Sequence, residues 1–481
     1  MKFLTSAVLA SLLASASTTA EENKLHQWGQ MALMDVQAIY DTLNAHHMGP
    51  VDPENPGYKI RMDKAFLEVK EKIKQVKTYG GYRAAVRYFS DSFEDGHINA
   101  VPLVTQSREK WPGFKVKYFN GNYKVSYIDA GVKGITIGDS VLTCDGRPLD
   151  KIFNETVAPY YGINGLMSDK INYAPFIFRD MSNPFIDLPK SCEFKGKSGT
   201  YTQALQWQDM RSHEWRDFDK ADEETEFSLT EVDKDIFWIS MPTFFPSGDQ
   251  VTALQNLIKE VQGKADVLRN AKKIVFDVRH NTGGSSQWAD QIVNAIWGEG
   301  FVDRAYRKFY DRVEWRASEE NVKTIRYYQN LWTQRAGKDH AVVQELKSLA
   351  DGIEVAVKEG KPFHAVPTSR KMDNPIKAGE VKPNVYLFTD NDCFSSCLDF
   401  ADTILSIPEA KHIGAETGAD AIYIDNRGIT LPSNSSFLSF SMKVYRGRHR
   451  GHNQPYVPEI RYTQDDWSTK SIQDWFLKIS Q

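Results

Sequence analysis

Cysteine is scarce in this chain, four among 481 residues, too few for a scaffold stapled by disulfides, so the fold must rest on an apolar core. Neither sign of charge dominates. The 59 basic and 63 acidic side chains leave a net charge of −4, and their interspersion argues against nucleic acid or an anionic membrane as the main partner. Past the first twenty residues no apolar run approaches the roughly 20 residues that cross a bilayer, so no stable membrane insertion is expected. Internal repeats and low-complexity tracts are missing, which sets aside solenoids and disordered arrays. Ligands clustered at zinc spacing are missing as well, so neither a metal nor another cofactor is expected.

The first twenty residues do carry an export pattern. Lys2 supplies a positive start, residues 3–16 are small and apolar, and Thr18-Thr19-Ala20 suits a cleavage site before Glu21. The expectation is a signal peptide over 1–20, removed near Ala20, and a periplasmic or secreted protein. Export permits disulfides. Of three possible pairings, Cys144 with Cys192 and Cys393 with Cys397 is the one expected, with buried free thiols as the alternative.

The most informative segment is Asp392-Cys393-Phe394-Ser395-Ser396-Cys397-Leu398-Asp399-Phe400. A buried-strand pattern, Val385-Tyr386-Leu387-Phe388-Thr389, precedes it, and residues 398–407 have helical spacing. A serine at such a junction is lifted out of the sheet beside unpaired amides at a helix N-terminus, which favour a developing negative charge. Ser395 alone would read as an N-cap. A second strand, 273–278, runs into Arg279-His280-Asn281-Thr282-Gly283-Gly284, whose paired glycines allow a backbone amide to approach a ligand closely. Asp95-Gly96-His97 supplies an imidazole, the group that titrates near neutral pH and can take a hydroxyl proton.

In this order the motifs resemble the tail-specific, or C-terminal-processing, serine peptidase family, which includes tricorn-like and retinoid-binding-like members. The resemblance runs through Phe276 to Gly284, Leu387 to Ala401, Gly414-Ala415-Glu416-Thr417 and Pro458-Glu459. Upstream, Gly134 to Leu149 resembles a segment of a PDZ domain. Many members use a Ser–Lys dyad, but Thr417-Gly418-Ala419-Asp420-Ala421 holds no lysine. The branch with an Asp-Gly-His motif uses Ser–His with a late glutamate. The resemblance thus implies Ser395 as nucleophile, His97 as general base and Glu459 as the acid orienting it, with Glu416 and Asp420 as alternatives. It also implies an oxyanion hole from the Ser396 amide and that of Gly283 or Gly284. Ser396 is the alternative nucleophile.

The implied fold is α/β: a crotonase-like peptidase core, 206–300 and 381–470, with a helical N-terminal domain over 21–110 carrying His97. A β-rich PDZ-like domain is expected over 111–205, and a helical insertion or cap over 301–380. The dense basic run Arg446, Arg448, His449, Arg450 and His452 reads as a solvated loop, or else a rim attracting acidic substrate. The function implied is an exported serine endopeptidase acting on extended or unfolded polypeptides through an acyl-enzyme. A non-catalytic peptide- or ligand-binding protein on the same fold is the alternative. The expected partner is a polypeptide substrate, with a homo-oligomer left open.

Overall fold

The computed structural model describes residues 25–104, 109–210, 225–368 and 374–480; the expected signal peptide lies outside them. Three helices come first: α1 (Gln27–His46), α2 (Gly57–Ile73) and α3 (Tyr79–Asp91). Ala32, Val36, Ile39 and Leu43 of α1 recur every three to four residues and are buried, as are Tyr58, Met62, Ala65, Val69 and Ile73 of α2. Thr78 caps α3, its side chain accepting from the Gly81 amide. The chain then passes through Asp95-Gly96-His97 into β1 (Asn99–Pro102).

The next segment holds β2 (Phe114–Phe119), β3 (Asn122–Ile128), β4 (Ser140–Cys144), α4 (Leu149–Thr156), β5 (Ser191–Gly196) and β6 (Gly199–Ala204). The β2–β3 hairpin turns at Asn120 and Gly121, both with positive φ, as a tight hairpin needs. These strands form an antiparallel sheet in chain order, over a core that includes Phe114, Val125, Ile152, Phe178 and Phe194. Cys144 and Cys192 face each other across β4 and β5 and are disulfide-bonded.

The remainder builds two sheets from β7 (Ser228–Asp233), β8 (Ile236–Ser240), α5 (Asp249–Gly263), β9 (Lys273–Asp277), α6 (Ser286–Trp297), β10 (Arg312–Arg316), α7 (Glu319–Ala336), α8 (Ala341–Lys358), β11 (Phe363–Pro367), β12 (Asn384–Thr389), α9 (Ser396–Ile404), β13 (Lys411–Gly414), β14 (Tyr423–Thr430), β15 (Ser436–Arg446), β16 (Ile460–Arg461) and α10 (Thr469–Ile479). The larger runs β7-β8-β9-β12-β13-β16, parallel except for the β7–β8 pair. Its central strands are apolar on both faces because both are covered. Leu254, Ile292, Val293 and Leu398 of α5, α6 and α9 pack on one side, and Ile472 and Phe476 of α10 on the other.

The second sheet runs β1-β15-β10-β11, with β14 also on β15. It corrects two expectations. Residues 301–380 are not wholly helical, since β10 and β11 lie within them and pair into this sheet. Nor is 21–110 helical to its end, because β1 pairs antiparallel with β15, Asn99 opposite Ser439. That ladder carries the segment bearing His97 onto the rest of the molecule.

Candidate active site

The loops after β9 and β12 leave the carboxyl ends of adjacent parallel strands, where open α/β sheets place ligands. Asp277 and Arg279 of the first loop form a fully buried ion pair at 2.7 Å, and Trp238 Nε1 donates to Asp277. Arg279 also donates to the Trp467 carbonyl and to Thr469, bracing α10. The side-chain amide of Asn281 donates to the Met241 carbonyl, while its oxygen accepts from the Gly283 amide. Gly283, at φ 96°, lies against the other loop: a Cβ there would fall 2.6 Å from the Phe394 carbonyl and 2.9 Å from Ser395 Cβ.

Ser395 opens α9 at φ 56° and ψ −121°, and its side chain makes no capping bond. Its hydroxyl is therefore not consumed by the helix end. The Ser395 Oγ stands 3.3 Å from His97 Nε2, whereas the Ser396 hydroxyl is buried without a hydrogen-bond partner among the described residues. The expected Cys393–Cys397 disulfide is present and closes the turn around Ser395. Among the described residues, the amides of Ser396 and Gly284 are uncommitted, unlike that of Gly283.

His97 is buried, and its ring lies 4.9 Å from that of Phe394, centroid to centroid. Burial holds its imidazole below the ordinary value, against the opposing pull of the Asp420 charge. The Asp95 carboxylate accepts from the His97 amide at 2.9 Å and stands 3.7 Å from His97 Nδ1. Its other oxygen is 4.0 Å from His47 Nε2. His47 Nδ1 accepts from the Gly49 amide, so Nε2 carries the proton. The Asp95 carboxyl is pushed up to about 7 by burial. His97 Nδ1, Asp95 Oδ2 and His47 Nε2 are buried together, without hydrogen-bond partners among the described residues.

Glu459 is not part of this arrangement, which corrects the expectation for it. Pairing of β13 with β16 sets it at the sheet end, where its amide donates to the His412 carbonyl and its carboxylate is exposed. Among the described residues no hydrogen bond or ion pair joins that carboxylate to His97. Glu416 is half-buried in the wall of another cavity, and Asp420 is fully buried against Arg448 and Arg450. The arginines of the basic run are not solvated: Arg446 pairs with Asp52 and Glu314, and Arg450 with Asp402 and Asp420, all buried, while His449 and His452 are exposed. Lys443 pairs with Asp425, an attraction that keeps it protonated and unsuited to act as a base. Asp95 stands in the quoted Asp-Gly-His motif and its position was legible; His47 carries no sequence signal.

A cavity of about 410 Å³ is lined by Asp95, Gly96, Thr282, Asn391, Phe394 and Gly418, neighbours of the Ser395–His97 pair. A larger one, about 1580 Å³, separates Lys115–Gly121 and Met167 from Asp390, Glu416 and Arg461.

No curated protein gives a significant sequence match to this chain. Among solved structures, mature CPAF is similar at a TM-score of 0.61 and 14% identity, over 94% of this chain and 96% of that one. Mature CPAF complexed with lactacystin gives 0.60 and 13%, over 94% and 98%. At these identities the likeness is one of fold. The sequence model of peptidase family S41 matches residues 235–457, the stretch that holds both active-site loops. Residues 235–457 thus carry the sequence pattern of peptidase family S41, a family of tail-specific serine-type peptidases.

Proposed function

We propose that this peptidase is an exported endopeptidase that cleaves extended polypeptides through an acyl-enzyme, with Ser395 as nucleophile and His97 as base. The observation that carries the reading is the uncapped Ser395 hydroxyl, 3.3 Å from His97 Nε2 on a positive-φ turn. In the reaction Ser395 Oγ bonds to the substrate carbonyl carbon while its proton passes to His97 Nε2. The Ser396 and Gly284 amides receive the oxyanion, each donor contributing roughly 2.7–4 kcal/mol. His97 returns the proton to the leaving amine, the C–N bond breaks, and water then hydrolyses the ester with the same base. Asp95, not Glu459, orients the imidazole through Nδ1 in this reading. The β2–β6 sheet, in a PDZ-like role, offers an edge for an extended segment. Export is supported by the pattern in residues 1–20 and by two disulfides, which suit an oxidising compartment.

The test compares the mature wild type with Ser395→Ala and Ser396→Ala on an unstructured protein, products being read by mass spectrometry. Ser395→Ala is expected to lose activity on the order of 10⁶-fold, while Ser396→Ala keeps turning over. Undiminished cleavage by Ser395→Ala would place the nucleophile elsewhere.

A further inference from the structure

We propose that His280, Asp390 and Asp392 bind one divalent transition-metal cation, of the Zn²⁺ class, in the wall of the larger cavity. Spacing along the chain hides this set, because His280 and Asp390 are 110 residues apart. The fold unites them. Asp277 and Phe388 are partners on the parallel strands β9 and β12, so the two following loops emerge side by side.

His280 Nδ1 lies 3.5 Å from Asp390 Oδ2 and 3.7 Å from Asp392 Oδ2, and the three ligand atoms fall within 4.8 Å of one another. Direct hydrogen bonds would draw such atoms to about 2.8 Å. Metal bonds of about 2.0–2.2 Å in tetrahedral geometry separate neighbouring ligands by roughly 3.4 Å, a spacing that the two separations from His280 Nδ1 approach.

The ligands are also held in advance, as outer partners hold those of a metal centre. Asp390 accepts from the His280 amide at 2.7 Å and from the Asp392 amide at 3.0 Å. Asn172, from the β-rich segment, donates to Asp392 Oδ1 at 3.2 Å, leaving Oδ2 toward the imidazole. His280 is 39% exposed, so the remaining coordination positions open to water or to a substrate group. One imidazole with two carboxylates suits Zn²⁺ or its first-row neighbours better than Ca²⁺ or Mg²⁺. A bound ion would clasp the loop leading to Gly284, the loop leading to Ser395 and, through Asn172, the β-rich segment. This inference stands on ligand geometry and does not depend on the catalytic roles of Ser395 and His97.

The test is calorimetric titration of the chelator-treated mature protein with ZnCl₂, alongside His280→Asn and Asp392→Asn. Asparagine tolerates the positive φ of residue 280, 65°, and metal-free melting checks that both variants fold. One Zn²⁺ per chain is expected, with a rise in melting temperature, and affinity at least about tenfold weaker in each variant. The absence of saturable binding, or equal binding by both variants, would overturn the proposal.

Discussion

A carboxylate with no cation in hydrogen-bonding reach among the described residues governs the pH behaviour expected of His97. Asp95 can orient the imidazole only when ionised, and burial has moved its carboxyl to about 7. His97 is shifted the other way, downward, so its base form is present before Asp95 has lost its proton. The acid limb of kcat/KM therefore belongs to Asp95 and should rise through about pH 7. Asp95→Asn is expected to lower kcat by roughly 10²–10⁴ and to move the remaining limb below that of wild type; Glu459→Gln should leave both alone. Stability separates this from misfolding. Because the Asp95 pKa is higher folded than unfolded, the folded chain binds the extra proton between those values, and burying the charge costs stability as pH rises. Asp95→Asn removes that cost, so its melting temperature at pH 8 should not fall below wild type. A variant that melts early, or one that keeps the limb near 7, would remove Asp95 from this role.

The five-residue turn from Cys393 to Cys397 is the element on which the site depends, and the one most legible in the sequence. Its flanking apolar strand, its serine pair and its following helical pattern were readable because each is local. Glu459 was not: whether a carboxylate reaches His97 depends on how β16 docks against β13, a pairing between distant segments. The basic run was opaque for the same reason, since Arg446 and Arg450 look solvated until the buried acids facing them, 394 and 48 residues away, are known. Strands β10 and β11 were missed because their alternation is short and surrounded by charged helices. The Cys393–Cys397 bridge holds a serine at φ 56°, a conformation non-glycine residues adopt at a cost. Closing so small a loop restrains the open chain by about 2 kcal/mol. Replacing both cysteines by serine is expected to lower kcat on the order of tenfold, the rate equivalent of about 1.4 kcal/mol. The corresponding Cys144/Cys192 variant, remote from Ser395, is the control. Equal losses in the two would show that the bridge at the turn acts only through global stability.

At the scale of the whole molecule, the candidate nucleophile and base belong to segments far apart in the chain, and their 3.3 Å approach is set by how those segments dock. The β1–β15 ladder makes one connection. Arg446, at the end of β15, makes another: it donates to Asp52 at 2.6 Å, between α1 and α2, and to Glu314 of β10 at 2.7 Å. Tyr423 of β14 completes the group by donating to Asp52 at 2.7 Å. Arg446, Asp52 and Glu314 are all buried, so removing the cation strands the Asp52 carboxylate and leaves Glu314 with Arg312 alone, at 2.8 Å. Arg446→Ala is therefore expected to cost about 3–5 kcal/mol, read by chemical denaturation. Arg446→Met combined with Asp52→Asn and Glu314→Gln removes the charges together and should recover most of that loss, because the penalty comes from stranded charge and not from the absence of attraction. Activity discriminates further. If the cluster fixes the docking of the His97 segment, the single variant loses kcat even at temperatures where it is fully folded, and the triple variant regains it. Full activity in the folded single variant would leave the β1–β15 ladder, with the hydrogen bonds from Asn453 to the Glu94 carbonyl and from Asn426 to the His97 carbonyl, to set the Ser395–His97 distance.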